Sequence, residues 1–239
     1  MKRQHDKDQH FLRDPSLVAE LIGHSNLRKN DAVYDLGAGS GIISSVLSRR
    51  VKRVIAVENE PATVALLEKN MRRHRNVDIV RHDIERVEFP SDSSYKIFSN
   101  IPFSLSSRMV ERLVRLDNPP RAIYLIVQKQ FARKLLANHT AFTSQLGMRI
   151  APWWTVRIRR PLRRTDFWPH PNVDTVLLEL KPREEPMLTP ERRNDYECFV
   201  ERMYSDPKYF NEISRGSSEH GASQLPGEEM AAYFSKTSE

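Results

Sequence analysis

Short apolar runs rich in β-branched residues recur along the first half of the chain with helical patterns between them, and this alternation leaves few folds open. Ala32–Leu36, Arg53–Glu58, Val77–His82, Lys96–Ser99 and Ala122–Val127 read as strands. Ile42–Arg50, Pro61–Arg73, Leu105–Leu116 and Lys129–Ala137 read as helices, with Pro61 suited to a first turn. Consecutive parallel strands need a crossover, and helices supply it, so the pattern predicts an α/β fold: a mostly parallel sheet with helices on both faces. Two later runs, Thr155–Ile158 and Thr175–Leu180, flank the turn-rich Asp166-Phe167-Trp168-Pro169-His170-Pro171, which predicts an antiparallel hairpin at one edge. The pattern stops at Lys181-Pro182-Arg183-Glu184-Glu185-Pro186, which reads as a linker. A large domain of residues 1–180 and a small helical domain of residues 181–239 are therefore expected. In the latter Pro190–Tyr204 and Glu228–Phe234 read as helices and Ser214–Gln224 as a polar, Gly/Ser-rich segment, with too little apolar surface to fold alone.

Composition narrows the partners. The 239 residues carry a net charge of +7, and an excess of lysine and arginine draws a protein to polyanions by releasing condensed counterions. Six arginines (Arg149, Arg157, Arg159, Arg160, Arg163, Arg164) fall in one stretch with no acidic residue, and Trp153 and Trp154 lie among them. Planar guanidinium groups suit phosphate and aromatic faces suit bases, so this stretch is the predicted RNA-binding strip. No apolar run approaches the ~20 residues that span a bilayer, and Met1 to Asp6 lacks the apolar stretch of a signal peptide, so a cytoplasmic protein without membrane contact is expected. The single cysteine, Cys198, forms no internal disulfide and builds no metal site alone; no metal is expected.

Asp35-Leu36-Gly37-Ala38-Gly39-Ser40-Gly41 joins the first long strand to a helix, so its glycines permit a tight turn and close approach of a ligand to the backbone. Such a turn serves a dinucleotide, S-adenosylmethionine or nothing. Glu58, 17 residues after Gly41, ends the next strand, where a carboxylate accepts hydrogen bonds from both hydroxyls of a ribose. Asp83 follows the third strand at the same edge, placed to accept from an adenine amino group. Three strands thus aim their residues at one crevice, where open α/β sheets bind ligands.

Asn100-Ile101-Pro102-Phe103 ends the fourth strand at that edge. Read alone it is a turn; read beside Gly37, Glu58 and Asp83 it is a site for an exocyclic amine. An adenine amine is a poor nucleophile because its lone pair is delocalised into the ring. The Asn100 amide oxygen and the Ile101 carbonyl can accept its two hydrogens and draw the nitrogen towards a geometry that frees the pair for in-line attack. Pro102 stiffens the turn, and Phe103 offers a face for an extruded base. Phe167 is either a second wall for that base or a core aromatic beside the hairpin.

These blocks together resemble the ribosomal RNA adenine N6-methyltransferases, and within them the Erm macrolide-resistance enzymes. The resemblance rests on Gln9-His10-Phe11-Leu12, Asp35 to Gly41, Val57-Glu58, His82-Asp83-Ile84, Ser94 to Phe103, Ile123 to Leu135 and Phe167 to Asp174, and runs from about residue 9 to about 204. It implies a Rossmann-like class I methyltransferase sheet with S-adenosylmethionine as methyl donor. It places His10, Leu12, Gly37, Gly39, Glu58, Asp83, Ile84 and Asn100 at the donor, with Ile84 adding a backbone contact to the donor's adenine. Asn100, Ile101 and Phe103 then surround the target adenine, with Phe167 opposite. The implied substrate is one adenine of 23S rRNA, reached before the ribosome is fully assembled and modified by a monomeric enzyme. Added methyl groups there occupy the space of macrolide, lincosamide and streptogramin B drugs and remove a hydrogen-bond donor. Two positions depart from the resistance enzymes: His10 stands where asparagine is usual, and Phe103 replaces the commoner tyrosine. The C-terminal domain also reads as shortened.

Three other readings compete. A housekeeping relative would dimethylate adjacent adenines of the small-subunit RNA. A non-catalytic RNA-binding factor on this fold would be expected to have lost Asn100, Glu58 or the glycines, and all are present. A DNA adenine methyltransferase would carry proline where Ile101 stands.

Overall fold

The structure, a computed structural model, describes residues 10–138, 142–214 and 221–237. Three parts of the sequence reading lie outside the described residues: the start of the chain including Gln9, residues 215–220 of the polar segment, and the chain's last two residues.

The first elements are a two-residue strand β1 (Phe11–Leu12) and helix α1 (Pro15–Gly23). Asp14 starts α1, its side chain accepting from Ser16 N at 2.8 Å, and Pro15 occupies the first turn, where its missing N–H costs nothing. The strand–helix alternation follows: β2 (Ala32–Leu36), α2 (Ile42–Leu47), β3 (Arg53–Glu58), α3 (Pro61–Met71), β4 (Val77–Arg81), β5 (Lys96–Ser99), α4 (Ser106–Val114), β6 (Ile123–Gln128) and α5 (Lys129–Leu135). Then come α6 (Gln145–Ile150), β7 (Trp154–Leu162), β8 (Phe167–Trp168), β9 (Thr175–Pro182), α7 (Arg193–Ser205), α8 (Pro207–Ser214) and α9 (Gly227–Thr237).

Seven strands form one sheet in the order β4-β3-β2-β5-β6-β9-β7. The pairs β4/β3, β3/β2, β2/β5 and β5/β6 are parallel, and the late strands make the antiparallel edge that the sequence predicts. Ile123 to Val127 are buried without a break because parallel strands are covered on both faces, which is why the run reads as continuously apolar. Beneath one face Val18, Leu21 and Ile22 of α1, Leu47 of α2, Phe98 of β5 and Leu177 of β9 share a core. The order places β2 between β3 and β5, so the chain reverses direction across the sheet there, and a crevice opens at the carboxyl ends of those strands.

The chain divides into two compact units, Met1–Lys129 with Ile158–Glu179, and Gln130–Arg157 with Leu180–Glu239. A single cut at 180 therefore differs from the division found, and the reason lies in the second unit's core. The Tyr196 ring of α7 meets Trp153 edge-on at 5.7 Å and Phe234 of α9 at 5.3 Å, and its hydroxyl donates to Met148 O at 3.2 Å. The C-terminal helices gain their buried surface from residues 130–157, which the sequence reading counts with the first domain.

Candidate active site

The turn after β2 is shaped by three glycines with positive φ: Gly37 (71°), Gly39 (58°) and Gly41 (89°). Such values fall where a side chain is strained, so the sequence needs glycine here. The turn folds back onto β3, with Gly37 N and Ala38 N donating to Val57 O at 2.8 and 3.0 Å. Glu58 ends β3 and clamps the turn: Oε2 accepts from Gly39 N at 2.9 Å, while Oε1 accepts from Asn59 N and Glu60 N at 2.9 and 3.0 Å. A carboxylate has about four acceptor sites, and three are engaged by the chain itself. The residue predicted to hold a ribose thus also fixes the glycine turn against the head of α3.

Asp83 follows β4, and its Oδ1 accepts from Glu85 N at 2.9 Å, which orients the carboxylate at the turn. Asn100 follows β5. Its Nδ2 donates to His10 O at 2.7 Å, and because a carbonyl only accepts, this bond selects the NH2 end of the amide and leaves Oδ1 as the acceptor that remains. His10 is itself held: Nδ1 lies 2.8 Å from Pro169 O, so that nitrogen carries the proton, and the ring stands 5.4 Å from that of Phe103. Leu105 N donates to Pro102 O at 3.0 Å, closing a tight turn that leads into α4.

Asp35 lies under the glycine turn, 1% exposed. Ser44 Oγ on α2 donates to its Oδ2 at 2.6 Å, and Oδ1 has no hydrogen-bond partner. Burial disfavours the charged form and pushes the carboxyl up to about 7, with Ser44 opposing and the charge of Glu58 adding to the rise.

One cleft of about 540 Å3 runs along this edge. It is lined by His10, Leu12, Gly37, Gly39, Glu58, Asp83, Ile84, Asn100, Ile101 and Phe103, which brings the predicted donor and target residues of these strand ends together. The size falls in the range of about 300–1,000 Å3 found for small-molecule sites. Phe11, Ser40, Thr63 and Leu105 also line it and were missed. Phe11 lies in the Gln9-His10-Phe11-Leu12 block that carries the resemblance, but a two-residue strand has no periodicity to show which way it faces. Thr63 carries no local signal.

Phe167 is not a wall of the cleft. It is fully buried in the core of the first unit, because β8 pairs antiparallel with β1, setting Phe167 opposite Leu12 on the inward face and Trp168 opposite Phe11 on the outward one. The core-aromatic alternative is the observed one.

The arginine strip is divided. Arg149 and Arg157 lie in the second unit, and Arg159, Arg160, Arg163 and Arg164 in the first. Arg149 pairs with Glu201 at 3.6 Å, Arg160 with Glu20 at 2.6 Å and Arg164 with Asp174 at 3.3 Å. Arg159 donates to His24 O at 3.0 Å and approaches the buried Glu179 at 3.8 Å. Arg157 and Arg163 pair with no acid among the described residues. Trp153 and Trp154 are 5% and 3% exposed and offer no face to a base, correcting the stacking role expected of them.

The strand order and the strand-end cleft define a Rossmann-like methyltransferase. Residues 1–207 match the family model described as "Ribosomal RNA adenine dimethylase", and the chain belongs to that family. An rRNA adenine N-6-methyltransferase of Limosilactobacillus reuteri is 29% identical over 201 residues, 84% of this chain and 80% of that protein. A probable ribosomal RNA small subunit methyltransferase A of Methanosarcina mazei is 32% identical over 180 residues, 75% of this chain and 65% of that protein. The crystal structure of the 23S rRNA methyltransferase ErmE superposes with a TM-score of 0.81 at 22% identity, over 96% of this chain and 100% of that one, a likeness of fold. This chain is an rRNA (adenine-N6)-methyltransferase.

Proposed function

We propose that the enzyme transfers one or two methyl groups from S-adenosylmethionine to N6 of a single adenine in 23S rRNA, and that this confers resistance to macrolide, lincosamide and streptogramin B antibiotics. The observation that carries the chemistry is the Asn100 amide, whose NH2 end is spent on His10 O so that its oxygen is the end left for an amine.

The cleft fits the donor. A Cβ on Gly39 would sit 3.3 Å from the Phe11 ring, so glycine there keeps the space between turn and ring open. Gly37, Gly39 and Leu12 would border the donor, Glu58 would accept from its ribose with the capacity the clamp leaves, and Asp83 and Ile84 would meet its adenine. S-adenosylmethionine supplies, when bound, a methyl group activated by a positive sulfonium. The chain supplies position. Asn100 Oδ1 and the Ile101 carbonyl accept the two hydrogens of the target amine and hold its lone pair on the line of attack, and Phe103 stacks on the base. The proton is lost after transfer, so no strong base is needed.

The preference for 23S rRNA rests on the resemblance of Ser94–Phe103 and Tyr124–Leu135 to the resistance enzymes. The test uses labelled donor with protein-free 23S and 16S rRNA. Label in 23S, with primer extension stopping at one adenine, is the expected result, together with a raised erythromycin tolerance in a host expressing the gene. Label confined to 16S rRNA would instead assign the enzyme to small-subunit modification.

A further inference from the structure

Trp168, on the outward face of the β1/β8 ribbon, does not line the cleft, yet with Phe11 it concentrates exposed aromatic surface. Phe11 is 43% and Trp168 58% exposed, and they stand directly opposite in register. The inward pair, Leu12 and Phe167, anchors the ribbon in the core, so the outward pair is presented on a fixed support. Arg13 places its guanidinium carbon 5.6 Å from the Trp168 ring centre, and the His170 ring meets Trp168 edge-on at 5.6 Å.

The nearby acids are committed elsewhere. Asp14 accepts from Ser16 N, Asp166 from Arg163 N, and Asp174 pairs with Arg164. The face thus combines two flat apolar rings with the guanidinium of Arg13, which forms no ion pair among the described residues. It is also continuous with the cleft, because Phe11 lines the cleft as well as the ribbon's outer face.

The geometry points to a second nucleotide subsite: Trp168, flanked by Phe11 and Arg13, stacks the unpaired base next to the target adenine on the same RNA strand. This rests on the RNA-directed reading above. Drawing an adenine into the cleft breaks its stacking with its neighbour, and an aromatic face beside the cleft mouth restores that stacking while the guanidinium meets the intervening phosphate. Every base has a π-face, so the subsite selects an unpaired neighbour rather than a particular one. An apolar protein partner is the less favoured occupant, because a cation, Arg13, stands at the end of the ribbon over Trp168 and the ribbon borders the cleft through Phe11.

The probe is a short single-stranded RNA with one adenine flanked by uridines, compared with the same RNA carrying an abasic residue on each side in turn. Trp153 and Trp154 are buried, so quenching of tryptophan emission on RNA addition reports on Trp168. The expected result is saturable quenching, a loss of about tenfold in RNA affinity for Trp168→Ala, and retention of affinity by Trp168→Phe. One abasic position should cost the parent about the same tenfold and cost Trp168→Ala nothing more, since both changes remove one contact. The affinity for S-adenosylmethionine alone should be unchanged. Equal RNA binding by Trp168→Ala and the parent, or equal abasic losses in both, would overturn the subsite. A parent protein that shows the quench and abasic pattern but methylates no rRNA would support the subsite and overturn the proposed function, so the two failures are separable.

Discussion

Two side chains at the site turn burial and hydrogen bonding into measurable behaviour. Asn100→Ala removes the proposed acceptor for the target amine and the tie to His10 O, and should slow methyl transfer by on the order of 10²-fold or more, with S-adenosylmethionine affinity far less affected. Single-turnover transfer beside donor titration checks it, and parental activity in the variant would remove the mechanism. Asp35 behaves differently. Its folded-state value of about 7 lies above the 3.8 of an unburied aspartate, so the folded protein keeps a proton that the unfolded chain releases. Its contribution to stability therefore falls as pH rises from about 4 to about 7 and is level above that. Asp35→Asn, which can still accept from Ser44, should gain on the parent in melting temperature from pH 5 to pH 8. A difference that does not change with pH would sink the argument.

At the scale of elements, β7 and the turn after it show how one run of arginines serves different ends. Arg159 faces the buried Glu179, whose other oxygen lies 2.7 Å from the Tyr124 hydroxyl, while Arg163 reaches solvent. Arg159→Ala should cost about 1 kcal/mol of stability, lowering the melting temperature by roughly 2–4 °C. Arg163→Ala should leave melting unchanged and reduce the slope of log K for rRNA against log salt by about 0.7. The reverse pattern in melts and salt titrations would exchange the two roles. Other strands show what could be read from sequence. β2, β3 and β5 fall within the predicted bounds to the residue, because buried parallel strands are continuous apolar runs bounded by turn residues. The two-residue ribbon of β1 and β8 has no periodicity to read, so nothing in the sequence tells whether Phe167 or Trp168 faces inward; pairing with Leu12 decides it. The glycine turn, Glu58, Asp83 and Asn100 were readable because each sits at a strand's carboxyl end. The backbone contacts that orient Asn100 and His10, His10 O and Pro169 O respectively, come from distant chain and leave no local trace.

For the whole molecule, the division into two units predicts the outcome of truncation. A chain ended at residue 180 loses Tyr196, Phe199 and Phe234, and so uncovers Trp153 and the residues around Met148. Such a fragment should bind a hydrophobic dye and show red-shifted tryptophan emission relative to the full chain; native-like emission without dye binding would show that residues 1–180 stand alone. The tie from His10 has a consequence in time. Its ring is held by a carbonyl 159 residues later, while its own carbonyl orients Asn100. A ribosome making this protein completes β2, β3 and β4 long before it reaches Pro169. If the proposed roles hold, the newborn chain would assemble the glycine turn and Glu58 while the Asn100 amide still waits for its full setting, and competence would arrive late in synthesis, when most of the enzyme has left the machine whose RNA it modifies.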